Sequence, residues 1–272
     1  MKFLRKEILS EKCFTKEFDK FLNMIKTGEN FVFTRFSDGE YFILRNHMVV
    51  LADNFFVTGN RIGQGVYTAE EQKEFYPDRH QFYRDKLTEC FKHKQKNYFK
   101  GICTKGDVEE EGFLWQLELH GNEDSEHLTF ANVLINNNYK RYIEELIPLL
   151  KDKKVIYIVN ELADLSDLPF PIVKDFRIGS NCMIDNYDTV EEVKNYIKEN
   201  HVKDHIIISA AASLSNFIAY ECFKENDQNT FLDIGSTLNP YLKLEGWKHT
   251  RGYLTHYWLD SGSPYGTKID YW

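Results

Sequence analysis

The sequence predicts an α/β protein built on a mostly parallel sheet, and three observations carry that expectation. "KVIYIV" (154–159), "HIIISAAA" (205–212) and "TFLDIGS" (230–236) are short, unbroken apolar runs. Strands buried on both faces read this way, whereas half-exposed strands alternate. Helical patterns of about a dozen residues separate them: "TVEEVKNYIKEN" (189–200), with Val190, Val193 and Ile197 on one side, and "SLSNFIAYECFKEN" (213–226). Alternation of buried strands with helices implies βαβ units and hence a Rossmann-like core. A weaker strand, "DFRIGS" (175–180), fits between them.

The first half is read the same way, element by element. Phe14, Phe18, Phe21, Leu22 and Ile25 recur at helical spacing, and Gly28 follows as a stop. "NFVFTRF" (30–36) is a strand. The segment 53–80, with "TGNRIGQG" at 58–65, reads as loop-rich. "HQFYRDKLTECFKHK" (80–94) is a helix and "YFKGIC" (98–103) a short strand. A polar region spans 104–128, with "DVEEEG" (107–112) a solvated acidic turn. "NNNYKRYIEELIPLLKDKK" (136–154) is a helix with Tyr142, Leu146 and Leu149 along one side, its asparagines serving as the N-terminal cap or contacting a ribose or base. Ser213 or Ser215 is expected to cap the helix over 213–226. No repeat or linker divides the chain. We therefore expect one domain over 1–272, with a Rossmann-like core at 30–245 and an extension at 246–272.

Composition narrows the function. The 272 residues carry 34 Lys+Arg against 42 Asp+Glu, a formal charge of −8. That excludes a general nucleic-acid binder, whose affinity depends on cations neutralising phosphates. It leaves room for a small phosphorylated ligand in a local positive pocket. The five cysteines are scattered without a CxxC pair, so free thiols in a reducing compartment are expected. "MKFLRKEILSEK" lacks the apolar stretch of a signal peptide, and no window approaches the roughly 20 apolar residues that span a bilayer. The expectation is a cytoplasmic protein, not an integral membrane one. The nine histidines form no zinc-type spacing, and there is no GxSxG elbow.

Ligands in such sheets sit at the carboxyl ends of the strands. Those ends carry Asn160 and Glu161, Gly179 and Ser180, Ser209 to Ser213, and Asp233 with Gly235. Glu161 and Asp164 follow a buried strand, and either could act as a general base toward an acceptor hydroxyl. Arg251, in "HTRGY", suits a phosphate or a surface acid. The aromatic end "HYWLDSGSPYGTKIDYW" (256–272) suits stacking on a sugar or base, or packing on the core or a second subunit.

"FTRFSDGEYFIL" (33–44) is the most informative stretch. Asp-Gly between apolar runs suits a hairpin turn. "YFIL" does not alternate, however, so a helix beginning near Gly39 fits as well, with Asp38 and Glu40 at its amino end, where the dipole favours negative charge. On an extended segment Asp38 and Glu40 would project to one side and offer oxygens to one hard cation, with Gly39 leaving room and Arg35 suited to a phosphate.

This stretch resembles the motif, roughly Arg-Phe-Gly-Asp-Gly-Glu after a strand, of the GT-D type bacterial glycosyltransferases. "KKVIYIVNE", "HIIISAAASLSNFIAYECF" and "TFLDIGSTLNPYL" are similar to that family's late strands, in the same order, so that the likeness runs over residues 30–245. It departs at Ser37, where Gly is usual, and at "SAAASLS" (209–215), which replaces a Gly-Pro-containing loop. The resemblance implies metal-dependent transfer of a sugar from a nucleoside-diphosphate sugar, a UDP-sugar foremost, to a glycan, glycoprotein or glycolipid acceptor. It implies Mn²⁺ or Mg²⁺ held by Asp38 and Glu40 against the diphosphate. Arg35, Ser37, Gly39, Asn160, Ser209, Ser213 and Asp233 would line the nucleotide-sugar site. The alternatives are a non-catalytic Rossmann-like nucleotide- or partner-binding protein, or another Rossmann enzyme such as a methyltransferase. The latter is disfavoured because no GxGxG follows the strand at 155–159.

Overall fold

The computed structural model describes residues 12–121 and 126–260. Its centre is a seven-stranded sheet in the order β7-β6-β1-β11-β10-β8-β9, in which every neighbouring pair is parallel. The strands are β1 (Val32–Phe36), β6 (Tyr98–Ile102), β7 (Leu128–Phe130), β8 (Val155–Asn160), β9 (Ile172–Ile178), β10 (Ile206–Ser209) and β11 (Thr230–Asp233). β1, β6, β8, β10 and β11 are buried almost throughout, which is what their unbroken apolar runs require. Helices flank this sheet, so the expected α/β class with a parallel Rossmann-like core is the class observed.

The phenylalanine-rich first half builds one side of the core. Helix α1 (Phe14–Thr27) buries Phe14, Phe18, Phe21, Leu22, Met24 and Ile25. Phe21 lies within 5.5 Å of the ring centroids of Phe31, Phe33 and Phe99, so the helix is riveted to β1 and β6 by aromatic contacts. Gly28 ends the helix in the left-handed region at φ 74°, its N–H donating to the Ile25 carbonyl and the following Glu29 N–H to the Met24 carbonyl.

Four expectations are corrected here. The loop-rich segment 53–80 contains part of a second, antiparallel sheet, β4-β3-β2-β5, made of β2 (Val49–Leu51), β3 (Phe55–Thr58), β4 (Arg61–Gln64) and β5 (Lys73–Phe75). These strands of three or four residues are too short for their alternation to stand out in sequence. "GNRIGQG" is accordingly the tight turn and second strand of a hairpin, not a free loop. The polar region 104–128 holds helix α4 (Lys105–His120), broken by non-helical Val108 and Glu109 and capped by Thr104 and Asp107. The stretch 136–152 is not one regular helix. It runs as a 3₁₀ turn (Asn136–Asn138), one α turn α5 (Tyr139–Arg141), a π turn (Tyr142–Leu146) and a 3₁₀ segment (Ile147–Asp152). Pro148 has no N–H to give to the preceding turn, so a regular ladder cannot continue there. Its asparagines do not cap it: no side-chain cap bond forms, and buried Asn138 instead donates to the carbonyls of Phe14 and Val133.

The remaining helices are α2 (Asp38–Leu44), α3 (Gln81–Lys92), α6 (Cys182–Asp185), α7 (Thr189–Glu199), α8 (Ala212–Glu225), α9 (Trp247–Thr250) and α10 (Gly252–Leu259). Helix α8 packs on β1, β11, α3, α6 and α7, which makes it the central prop beneath the strand ends. It starts one residue earlier than expected, and neither serine is its N-cap residue. Ala211 holds that position, and Ser215 Oγ accepts the Ala211 N–H at 3.2 Å.

Candidate active site

From β1 the chain winds toward β6 and β7; strands β8 to β11 fill the other side. The β1/β11 boundary is therefore the place where loops leave the strand ends in opposite directions and a crevice opens. A cavity of about 780 Å³ occupies this position, within the range of small-molecule sites. Its floor is formed by strand ends and the loops that follow them, including Ala210–Ala212 and Gly235–Ser236. The inward face of the small sheet, with Val49, Leu51, Phe56, Thr58 and Lys73, forms one wall. The turn at Arg251 and Tyr253 of α10 form another.

"FTRFSDGEYFIL" (33–44) settles as a strand followed by a helix. β1 ends at Phe36, and α2 begins at Asp38 with Ser37 as N-cap. Ser37 N–H donates to Glu40 Oε2 at 3.1 Å, half of a capping box. The hairpin reading is thereby overturned, and so is the extended geometry in which Asp38 and Glu40 share one side. Asp38 is exposed at the first helical position, and its Oδ1 accepts the Gly39 N–H at 3.0 Å. Glu40 is buried, and its other oxygen, Oε1, accepts Ser213 Oγ at 2.8 Å. Both residues border the cavity, as do Arg35, Ser37 and Gly39.

The other sequence-predicted residues divide into three groups. Asn160 ends β8, lines the cavity, and accepts the Leu162 N–H through Oδ1 at 2.9 Å. Asp233, Ser209 and Ser213 lie beneath the lining as support. Asp233 receives the Arg35 and Gly235 N–H groups at 3.2 and 3.0 Å. Its burial, against the pull of Arg35, raises its carboxyl to about 7. Ser209 pairs in register with Asp233, and its carbonyl accepts Ile234 N–H at 2.9 Å. Glu161 and Asp164 stand apart from the cavity lining. Glu161 is exposed, with its Oε1 4.0 Å from where a Cβ on cavity-lining Gly179 would stand. Asp164 is exposed too, and accepts Lys243 Nζ at 2.6 Å, a hydrogen bond that holds its carboxyl well below the usual range.

Several lining residues escaped sequence reasoning. Asp107 caps α4, where its Oδ2 accepts the Thr104 N–H, the Thr104 hydroxyl and Asn132 Nδ2; the T-x-x-D spacing was the available signal. Glu70 accepts the Gly246 N–H at 2.9 Å, and Glu71 accepts the Thr250 hydroxyl at 2.6 Å, so the 68–71 turn is tied to the chain around α9. Nothing local marks Tyr67, Glu70, Glu71 or Lys73. Their place follows from the small sheet, which the sequence pattern did not reveal.

Counting ionisable side chains, five carboxylates (Asp38, Glu40, Glu70, Glu71, Asp107) and three cations (Arg35, Lys73, Arg251) line the cavity. A polyanionic ligand here needs more positive charge than the protein supplies. Among the described residues no group of three or more His, Cys, Asp or Glu side chains is placed to hold a metal ion. The donor set fits instead a hard cation that takes one or two carboxylates from the protein and its other ligands from phosphate and water. Cys103 at the cavity edge is no nucleophile, because burial pushes its thiol well up.

These features define a Rossmann-like α/β protein with a roofed, polar cleft at its strand ends. A solved structure described as a selenomethionine-substituted domain of unknown function 1792 (DUF1792) has this fold, with a TM-score of 0.53 and 12% identity over 84% of this chain and 78% of its own. Two further solved structures align less closely. One is described as showing that DUF1792 has a distinct glycosyltransferase fold (TM-score 0.49, 11% identity, 84% and 78% covered). The other is described as a new glycosyltransferase (DUF1792) from Streptococcus sanguinis (TM-score 0.45, 14% identity, 85% and 82% covered). No family model and no curated protein matches the chain. Among the described residues no helix is long and apolar enough to cross a membrane.

Proposed function

We propose that this protein is a metal-dependent glycosyltransferase of GT-D type that moves a sugar from a nucleoside-diphosphate sugar, a UDP-sugar foremost, to a glycan or glycoconjugate acceptor in the cytoplasm. The observation that carries the proposal is the position of Asp38. It is an exposed carboxylate on the first turn of α2, at the edge of a cavity of about 780 Å³ where β1 and β11 end. The solved DUF1792 domain of similar fold belongs to a domain class described as having a distinct glycosyltransferase fold and, in one protein, as a new glycosyltransferase, which supports the same reading.

In this reading Asp38 holds Mn²⁺ or Mg²⁺ directly. Glu40 assists through the lone pairs left after it accepts Ser37 and Ser213. An ion held by these two carboxylates would supply Lewis-acid neutralisation of the charge on a departing nucleoside diphosphate. Arg35 faces the diphosphate, and Asn160 and Ser37 offer polar contacts at the strand ends. The wall formed by β2, β3 and β5 shields one side of the cleft from bulk water, which would strengthen each of these electrostatic contacts. Glu161 is the better placed of the two acidic residues after β8 to take a proton from an acceptor hydroxyl, because Asp164 is occupied by Lys243.

Thermal-shift screening of nucleotide sugars with and without Mn²⁺ tests this. Stabilisation by one nucleotide class that requires the metal and is lost in Asp38→Ala is the expected result. The absence of any shift with every nucleotide would overturn it.

A further inference from the structure

Two arginines from opposite ends of the sequence converge on one short loop. Arg35 leaves the end of β1 and donates through Nε to the Ala131 carbonyl at 2.8 Å. That bond turns its terminal amino groups toward Gly235, so closely that a Cβ there would stand 2.0 Å from Nη1. Arg251 precedes α10. It donates through Nε to Ser236 Oγ at 3.1 Å and through Nη1 to the Thr250 carbonyl at 3.2 Å. The guanidiniums thus flank Gly235–Ser236 at the carboxyl end of β11, and both line the same cavity. Tyr253 reports on both. Its buried hydroxyl, 3.2 Å from Ser236 Oγ, lies in the field of Arg251 and Arg35 together.

Neither guanidinium is closed off by a carboxylate. Asp233 meets Arg35 through the backbone N–H, and among the described residues the Arg35 side chain forms no ion pair. Arg251 Nη2 stands 3.7 Å from Glu71 Oε1, beyond hydrogen-bonding distance, and that same oxygen already accepts the Thr250 hydroxyl at 2.6 Å. A guanidinium serving only to pin the fold would be expected to close on Glu71 in a bidentate pair. Here both terminal amino groups of Arg35 and Nη2 of Arg251 make no hydrogen bond among the described residues and border the cleft, the arrangement that suits a phosphoryl oxygen.

We propose that Arg35 and Arg251 form a two-arginine clamp for a diphosphoryl group seated over Gly235–Ser236, with Arg251 exchanging its loose contact with Glu71 for the anion. The place of this clamp in a reaction rests on the donor reading above. The diphosphoryl group itself is common to a nucleoside diphosphate and to a prenyl-diphosphate-linked acceptor.

Calorimetric titration of the full chain with inorganic pyrophosphate, uridine diphosphate and geranyl diphosphate, each with and without Mn²⁺, distinguishes these cases. Denaturant unfolding of every variant checks the fold. For the wild type we expect pyrophosphate binding. Arg251→Gln should weaken it about 10- to 100-fold, the loss of a charge-assisted pair. Arg251→Lys should weaken it less, since charge remains while the planar fork is lost. Glu71→Gln, which keeps an acceptor for Thr250 but removes the competing charge, should tighten it severalfold. An unaltered affinity in a folded Arg251→Gln variant, or no pyrophosphate binding by the wild type, overturns the clamp. If pyrophosphate binds through Arg251 while no nucleoside diphosphate binds, the clamp stands and the donor reading falls. If uridine diphosphate binds wild type and Arg251→Gln equally, the donor reading stands and the clamp falls. Tighter Arg251-dependent binding of geranyl diphosphate than of uridine diphosphate supports the clamp and assigns it to a lipid-linked acceptor.

Discussion

Ser213, at the start of α8, donates a 2.8 Å hydrogen bond to Glu40, 173 residues earlier in the chain and in the first turn of α2. It joins the second carboxylate of the Asp38–Glu40 pair to the first turn of the helix that follows β10, with both partners buried. Ser213→Ala would leave Glu40 Oε1 without its donor inside the protein. Hydrogen bonds to charged groups contribute about 1.5–3 kcal/mol, so a loss of that order is expected in urea unfolding. Unchanged stability would show that Glu40 finds water or another donor in place of Ser213.

Gly235 serves two demands at once. Its φ of +51° lies in the left-handed region, and the space beside its Cα is filled by Arg35 Nη1. Gly235→Ala should cost about 1–2 kcal/mol from the backbone alone. It should also displace the Arg35 guanidinium. The variant is therefore expected to lose affinity for pyrophosphate beyond what its stability loss explains, and titration at a temperature where it is fully folded measures this.

How far the sequence could be read depended on the range of the interactions involved. The unbroken runs at 155–160 and 206–209 declare parallel strands because burial on both faces acts residue by residue. Asp38 and Glu40 are legible as residues bordering the cavity because they adjoin a strand end in one short stretch. The Ser213–Glu40 bond, the meeting of Arg35 with Arg251, and the roof of three- and four-residue strands are long-range results of topology. No local period encodes them. The break at 142–152 belongs to the same class: the composition favours a helix, and the position of Pro148 together with tertiary packing overrides it.

Asp233 ties stability to pH. Its carboxyl is raised to about 7, chiefly by burial, from an ordinary value of 3.8. A raised folded value means the folded state holds the proton more tightly than the unfolded chain. The stabilisation is complete below about pH 4 and is lost as pH rises through 7. Asp233→Asn removes this dependence. The wild type minus variant difference in unfolding free energy should therefore fall by a few kcal/mol between pH 4.5 and pH 8, with about 1.4 kcal/mol per unit as the limiting slope. A difference independent of pH would mean that Asp233 stays ionised throughout, held by Arg35 and the Gly235 N–H.

Glu161 and Asp164 share a loop but differ in what surrounds them, and activity separates them. The Asp164 carboxylate is bound by Lys243 and by the Ser166 N–H at 2.9 Å, and so is poorly disposed to accept a proton near neutral pH. The Glu161 backbone is anchored to the Ile178 carbonyl at 2.8 Å, while its carboxylate stands beside Gly179 at the cavity edge. A positioned general base contributes about 10²- to 10⁴-fold to rate. Glu161→Gln should lower kcat for nucleoside-diphosphate release by at least the lower of these factors, with KM for the donor little changed. Asp164→Asn should retain kcat within about twofold, since its charge serves Lys243 and Ser166 rather than a reacting hydroxyl. The reverse result, a large loss with Asp164→Asn and none with Glu161→Gln, would assign the base to Asp164 and require the loop after β8 to move Asp164 away from Lys243 during turnover.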